Sequence, residues 1–94
     1  YSTAETRIPC ADADKFHVVE KLRHHFRPDY PIVDVDGVRV LFPGGWGLVR
    51  ASNTQPVLVA RCEGKTPAAL TQISTTMKNA LQHFPQVAEF QWEY

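Results

Sequence analysis

The sequence predicts an α+β fold of two layers: an antiparallel sheet of four to five strands with two helices packed on one face. Three observations carry this. The chain reads as strand, helix, four strands, helix; its middle strands crowd around an Asp36-Gly37 pair; and both helical segments carry a single apolar stripe. Helices segregated from a run of neighbouring strands form two layers, because each stripe needs the apolar face of a sheet to bury it.

The elements follow in order. Glu5-Thr6-Arg7-Ile8-Pro9-Cys10 reads as a short strand at a sheet edge, since Pro9 cannot donate to a ladder. Asp12 or Asp14 then caps a helix running to Phe26, with Phe16, Val19, Leu22 and Phe26 as its apolar stripe and Val18 on the flank. Pro28 marks its stop. Ile32-Val33-Asp34-Val35 and Val38-Arg39-Val40-Leu41-Phe42 flank Asp36-Gly37, a strong hairpin signal. Pro43-Gly44-Gly45 makes a second turn before the strand Trp46-Gly47-Leu48-Val49-Arg50. After the polar break Ser52-Asn53-Thr54-Gln55, the segment Val57-Leu58-Val59-Ala60-Arg61-Cys62 alternates little, as a central strand should. Thr66 caps a second helix with Pro67 in its first turn, where a missing N–H costs nothing. Its stripe is Leu70, Ile73, Met77, Leu81 and Phe84, ended by Pro85. The tail 89–94 alternates aromatic and polar residues, which fits either an edge strand or a segment trailing over the surface.

Ninety-four residues suffice for one compact domain, so 1–94 is read as a single unit with residues 1–4 as a hinge remnant. Ten basic residues balance ten acidic ones. That neutrality argues against a dedicated nucleic-acid partner, whose affinity rests on surplus cations. No apolar run reaches the ~18 residues of a membrane span, and Tyr1-Ser2-Thr3 lacks the basic and apolar regions of a secretory signal. The one methionine is Met77, so the chain is expected to be a fragment of a longer protein. Cys10 and Cys62 are too few for a disulfide framework. They read as free, buried thiols in a cytoplasmic, reducing setting.

Most candidate chemistry has a plain explanation. His17, Glu20 and His24 share an arc of the first helix, but that arc lies opposite the apolar stripe and faces water. A zinc site needs further ligands and supporting hydrogen bonds. Asp34, Asp36 and Gly37 begin like a calcium loop, yet the chain runs on into a strand; the hairpin accounts for Asp36 and Gly37. Gly44, Gly45 and Gly47 match no phosphate-loop or dinucleotide pattern. No metal is expected, and no nucleophile–base pair stands out that would make the chain an enzyme on its own.

Arg50-Ala51-Ser52-Asn53-Thr54-Gln55-Pro56 is different. It puts a guanidinium at a strand end, then two hydroxyls and an amide on the connecting loop. Arginine presents a planar fork of donors to phosphate oxygens, and successive loop N–H groups can form an anion nest. Ser-Asn-Thr is also ordinary turn composition, so a plain loop fits as well.

The runs Asp36-Gly37-Val38-Arg39-Val40, Gly45-Trp46-Gly47-Leu48-Val49-Arg50-Ala51-Ser52-Asn53-Thr54 and Pro56-Val57-Leu58-Val59 closely resemble the bacterial phosphomannomutase/phosphoglucomutases. These belong to the α-D-phosphohexomutase superfamily, and the likeness is to their C-terminal, fourth domain, from Tyr1 through the second helix. The resemblance implies a fold like that of the TATA-binding protein. It implies that Arg50, Ala51, Ser52, Asn53 and Thr54 bind the substrate phosphate, with Ala51 contributing backbone. It further implies an isomerase of carbohydrate metabolism that interconverts 1-phospho and 6-phospho mannose or glucose through a bisphosphorylated intermediate. The phosphoserine and Mg²⁺ of that chemistry would sit in preceding domains, leaving this domain without cofactor or catalytic residue. Ala4 departs from the proline that relatives often carry at the hinge. The competing expectation is a freestanding α+β interaction or RNA-binding module, which would use exposed aromatics such as Phe42 and Trp46 on a cationic sheet.

Overall fold

The computed structural model describes residues 1–94. Seven elements succeed one another: β1 (Thr6–Pro9), α1 (Asp12–Phe26), β2 (Ile32–Val33), β3 (Val38–Phe42), β4 (Gly45–Ala51), β5 (Val57–Gly64) and α2 (Pro67–Gln82). The strands form one antiparallel sheet in the order β1-β5-β4-β3-β2, with β1 at an edge as Pro9 requires. Both helices cover the same face. Ile8, Val38, Val40, Val49, Leu58, Ala60 and Cys62 point from the sheet into one core with Val18, Leu22, Ile73, Met77 and Leu81 of the helices. This is the α+β sandwich expected from the sequence.

Local chemistry explains the joints. Asp36 (φ 56°) and Gly37 (φ 108°) both occupy left-handed backbone, the pair of conformations that a tight hairpin turn demands. The preceding strand is shorter than the 32–35 expected: it stops at Val33, and Val35 is exposed. Thr66 caps α2, its Oγ1 accepting from the Ala69 N–H at 3.0 Å. α1 departs from expectation in two ways. Its cap is Ala11, without a side-chain hydrogen bond, because Asp12 turns to the Lys15 ammonium at 2.7 Å instead. The buried stripe is Lys15, Val18, Val19, Leu22 and Phe26, while Phe16 is 60% exposed. Phe16 stands three residues before Val19, but at about 100° per residue it is turned a quarter-turn away from the centre of the buried arc, where Lys15 falls with Leu22 and Phe26.

Both chain ends are tied down. Residues 1–4 lie along β5, where the Thr3 N–H donates to the Cys62 carbonyl at 2.9 Å and the Cys62 N–H donates to Thr3 Oγ1 at 3.0 Å. The tail runs back along β1: Ala88 N–H donates to the Pro9 carbonyl, and Ala4 N–H to the Glu93 carbonyl. Val87 and Phe90 are buried in the core, and the Trp92 Nε1–H donates to the Ser74 carbonyl at 3.0 Å. The tail therefore shields an edge that would otherwise offer unpaired backbone groups.

The sheet's second face is free of helices. There Trp46 lies between two guanidinium groups, with Arg39 4.6 Å and Arg61 6.0 Å from its ring centre. Phe42 does not share that face. It packs against Tyr30 and Phe26, with ring centres 4.6 and 5.9 Å apart, so the two aromatics considered for RNA stacking are divided between layers. No helix is long and apolar enough to cross a membrane.

Candidate functional site

The segment singled out in the sequence joins β4 to β5, the two longest strands of the sheet. Arg50 and Ala51 are the last residues of β4, paired with Val59 and Leu58 of β5. The ladder is continued by the Ser52 N–H, which donates to the Val57 carbonyl at 3.1 Å. The loop thus projects from a rigid, doubly paired base, which keeps its donors in a fixed relation to one another.

Ser52 organises the loop from within. Its side chain is turned inward, the residue being 8% exposed, and its Oγ accepts from the Thr54 N–H at 3.3 Å and the Gln55 N–H at 3.2 Å. A hydroxyl that accepts two bonds can still donate its own proton. The Gln55 carbonyl accepts from the Val57 N–H at 2.8 Å and from the Lys15 ammonium at 2.9 Å. The Pro56 carbonyl accepts from the Cys10 N–H at 2.9 Å. Asn53 and Thr54 form the exposed tip.

Arg50 points to the open face of the sheet. Its Nη2 donates to Glu5 Oε1 at 3.2 Å, and its side chain retains 35% of its exposure. Gly37 makes room for it: a Cβ at Gly37 would lie 2.7 Å from Arg50 Cβ and 2.6 Å from the Val49 carbonyl oxygen. Arg50, Ala51 and Asn53 line one cleft of about 260 Å³, whose opposite wall is built from Phe16, Arg23 and Asp36. Ser52 and Thr54 do not line it. Arg50 also borders a larger cleft of about 530 Å³ on the open face, with Glu5, Leu48, Arg61 and Tyr94.

Of the other candidates, Glu20, Asp36 and Gly37 border the same cleft as Arg50, Ala51 and Asn53, whereas His17 and His24 do not. His17, Glu20 and His24 lie on the exposed side of α1, with His24 Nε2 3.2 Å from Glu20 Oε1. No three His, Cys, Asp or Glu side chains converge on a point where a metal ion would sit. Cys10 and Cys62 are free and buried. Burial pushes the Cys62 thiol up from 9.0 to about 12. Burial also raises the Cys10 thiol, with Asp14 adding to the rise and Lys15 opposing it.

Glu5, Lys15 and Arg23 were not anticipated as neighbours of the loop. Lys15 alone left a signal, since it occupies the helical position that completes a stripe with Val18, Val19 and Leu22. The contact between Glu5 and Arg50 leaves no trace in a linear pattern.

Residues 5–80 match the family described as phosphoglucomutase/phosphomannomutase, C-terminal domain. The chain belongs to that family. It is 45% identical over 82 residues to a phosphomannomutase/phosphoglucomutase of Pseudomonas aeruginosa, an alignment that covers 86% of this chain and 18% of the relative. It is 39% identical over 89 residues to a phosphoglucomutase of Neisseria gonorrhoeae, covering 92% of this chain and 19% of the relative. A crystal structure of a phosphoglucomutase/phosphomannomutase family protein from Burkholderia thailandensis superposes with a TM-score of 0.73 at 36% identity. That match covers 88% of this chain and 17% of the other. The chain thus spans less than a fifth of the length of these relatives, and it has the two-layer architecture of this C-terminal domain family.

Proposed function

We propose that this chain is the phosphate-clamping domain of a hexose phosphate mutase, an isomerase that interconverts 1-phospho and 6-phospho sugars. The observation that supports it best is the loop after β4. Arg50 at a strand end and Asn53 border a common cleft, and the buried Ser52 holds the turn that follows through the N–H groups of Thr54 and Gln55. In this reading Arg50, Ser52, Asn53 and Thr54 bind the phosphate with their side chains and Ala51 with its backbone.

The phosphate so held is the one that does not react. Its binding energy orients the sugar so that the far end meets the phosphoryl donor in line. The bisphosphorylated intermediate must turn around before the second transfer, so the loop has to accept either the 1- or the 6-phosphate. It should therefore ignore the sugar, leaving the choice between mannose and glucose to other domains. A clamp at one edge of a cleft also helps to exclude water from a phosphoenzyme.

In this reading the phosphoserine and Mg²⁺ of such a reaction would come from domains outside these residues. The partners of this domain are then a phosphohexose and the preceding domains of a longer chain, with neither nucleic acid nor membrane among them. Free buried thiols accord with a cytoplasmic enzyme.

Arg50→Ala in the intact enzyme tests the reading. A charge-assisted hydrogen bond is worth about 1.5–3 kcal/mol, so kcat/KM should fall by roughly 10- to 100-fold. A value close to wild type would sink the proposal. The isolated chain holds only part of the cleft, and its affinity for glucose 1-phosphate is expected near a millimolar Kd, about −4 kcal/mol.

A further inference from the structure

We infer that Lys15 is a positioning residue for the phosphate loop: its buried ammonium fixes the Gln55 carbonyl and lends the loop positive charge. The inference rests on reading residues 50–54 as a phosphate clamp. Lys15 makes no claim on the ligand itself. It acts through the backbone of the loop.

The burial of this group sets the problem. The Lys15 side chain is 5% exposed, in a stripe of α1 where Val18, Val19 and Leu22 are its neighbours. Removing an ammonium from water costs several kcal/mol unless hydrogen bonds and a counter-charge replace the solvent. An aliphatic residue would fill the same stripe without that cost. The compensation Lys15 receives is specific: Nζ donates to the Gln55 carbonyl at 2.9 Å, across 40 residues of sequence, and lies 2.7 Å from Asp12 Oδ1.

Those contacts hold the carbonyl of Gln55, the residue whose N–H Ser52 also secures. Ser52 Oγ secures the N–H groups of Thr54 and Gln55, whereas Lys15 and the Val57 N–H together occupy the Gln55 carbonyl. The donors left for a ligand are on Arg50 at the end of β4, on the Ser52 hydroxyl, and on Asn53 and Thr54, the last two lying between Ser52 and the anchored Gln55. A loop held in this way loses little freedom when it binds, which favours affinity.

Charge adds a second effect. Asp12 is 71% exposed, so water screens its carboxylate, while the ammonium it faces is buried and screened far less. The pair is neutral on paper but leaves a positive field on the loop side, where a phosphate dianion would lie.

Titration of inorganic phosphate and of glucose 1-phosphate into the isotopically labelled 94-residue chain tests this, read at the amides of residues 50–57. Lys15→Met, of similar length and apolar, should keep the melting temperature close to wild type while weakening both ligands about tenfold. Lys15→Arg should restore part of the loss. Asp12→Asn should tighten phosphate by about twofold, an effect that a purely structural lysine would not produce. If Lys15→Met does not fold, Asp12→Asn decides alone, and unchanged or weaker binding overturns the inference. Arg50→Ala separates the two levels. If it abolishes binding while Lys15→Met leaves affinity unchanged, the role of Lys15 falls and the clamp stands. If Arg50→Ala binds like wild type, the clamp falls and this inference falls with it.

Discussion

Arg50 and Glu5, 45 residues apart in sequence, meet on the open face of the sheet with Nη2 3.2 Å from Oε1. Only one edge of the guanidinium is engaged, and Glu5 keeps half of its exposure. A carboxylate in this place has the sign of the phosphate that Arg50 is proposed to hold. It steadies the arginine and would repel a phosphate placed beside it. An exposed pair of this kind is worth about 0–1 kcal/mol. Glu5→Gln, which keeps the shape and removes the charge, should therefore bind glucose 1-phosphate up to about fivefold more tightly at low salt. The gain should shrink at high salt, where exposed charges are screened. Isothermal or NMR titration at two ionic strengths checks both parts, and weaker binding by the variant would assign Glu5 a supporting role instead.

Ser52 is the internal brace of the same loop, and its removal should separate order from charge. Ser52→Ala deletes the acceptor of two backbone N–H groups without altering any charge. Stability should drop by about 1 kcal/mol, the net worth of such a bond. The amides of Thr54 and Gln55 should exchange with solvent markedly faster, and affinity for phosphate should fall severalfold. Unchanged exchange at both amides would show that the loop is held by its strands alone.

These residues also show what a linear reading can and cannot reach. The apolar runs of β3, β4 and β5, the Asp36-Gly37 turn and the Thr66 cap are local patterns, and the sheet formed accordingly. The loop from Arg50 to Thr54 was legible because its residues are consecutive. Phe16 shows the limit: its hydrophobicity suggested the core, yet helical phase puts Lys15 inward and Phe16 against the cleft beside Arg50. Hydrophobicity ranks residues, but geometry decides which face turns inward. The bonds of Glu5 to Arg50 and of Lys15 to Gln55 span 45 and 40 residues. Contacts of that range depend on the whole sheet, and no spacing rule encodes them.

The glycines of β4 offer a test of the packing that supports the loop. A Cβ on Gly45 would lie 2.0 Å from the Glu63 carbonyl oxygen, and the partner strand cannot give way without breaking the ladder. A Cβ on Gly47 would meet Met77 at 2.6 Å from Cγ and 2.7 Å from Sδ, a side chain able to adopt another rotamer. Overpacking costs about 1–3 kcal/mol when side chains can adjust. Gly47→Ala should fall near the lower end of that range and Gly45→Ala at or beyond its upper end. Chemical denaturation of the two variants measures the difference, and equal losses would mean that α2 rather than the sheet yields.

Cys62 gives the fold a dependence on alkaline pH. The side chain is fully buried on the helix-covered face of β5, and burial pushes its thiol from 9.0 up to about 12. A group whose folded value is raised holds its proton more firmly in the folded state. Its contribution to stability is therefore complete below pH 9.0 and is lost as the pH rises towards about 12. In that window the unfolded thiol ionises while the folded one does not, so stability declines by up to about 1.4 kcal/mol per pH unit. Cys62→Val cannot ionise and should lack this component, while retaining whatever slope Cys10 and the exposed groups impose. Denaturant unfolding of both proteins at pH 8 and pH 10 should thus show the wild type losing about 1.4 kcal/mol more than the variant. Parallel losses would mean that the Cys62 thiol ionises as readily in the folded chain as in the unfolded one.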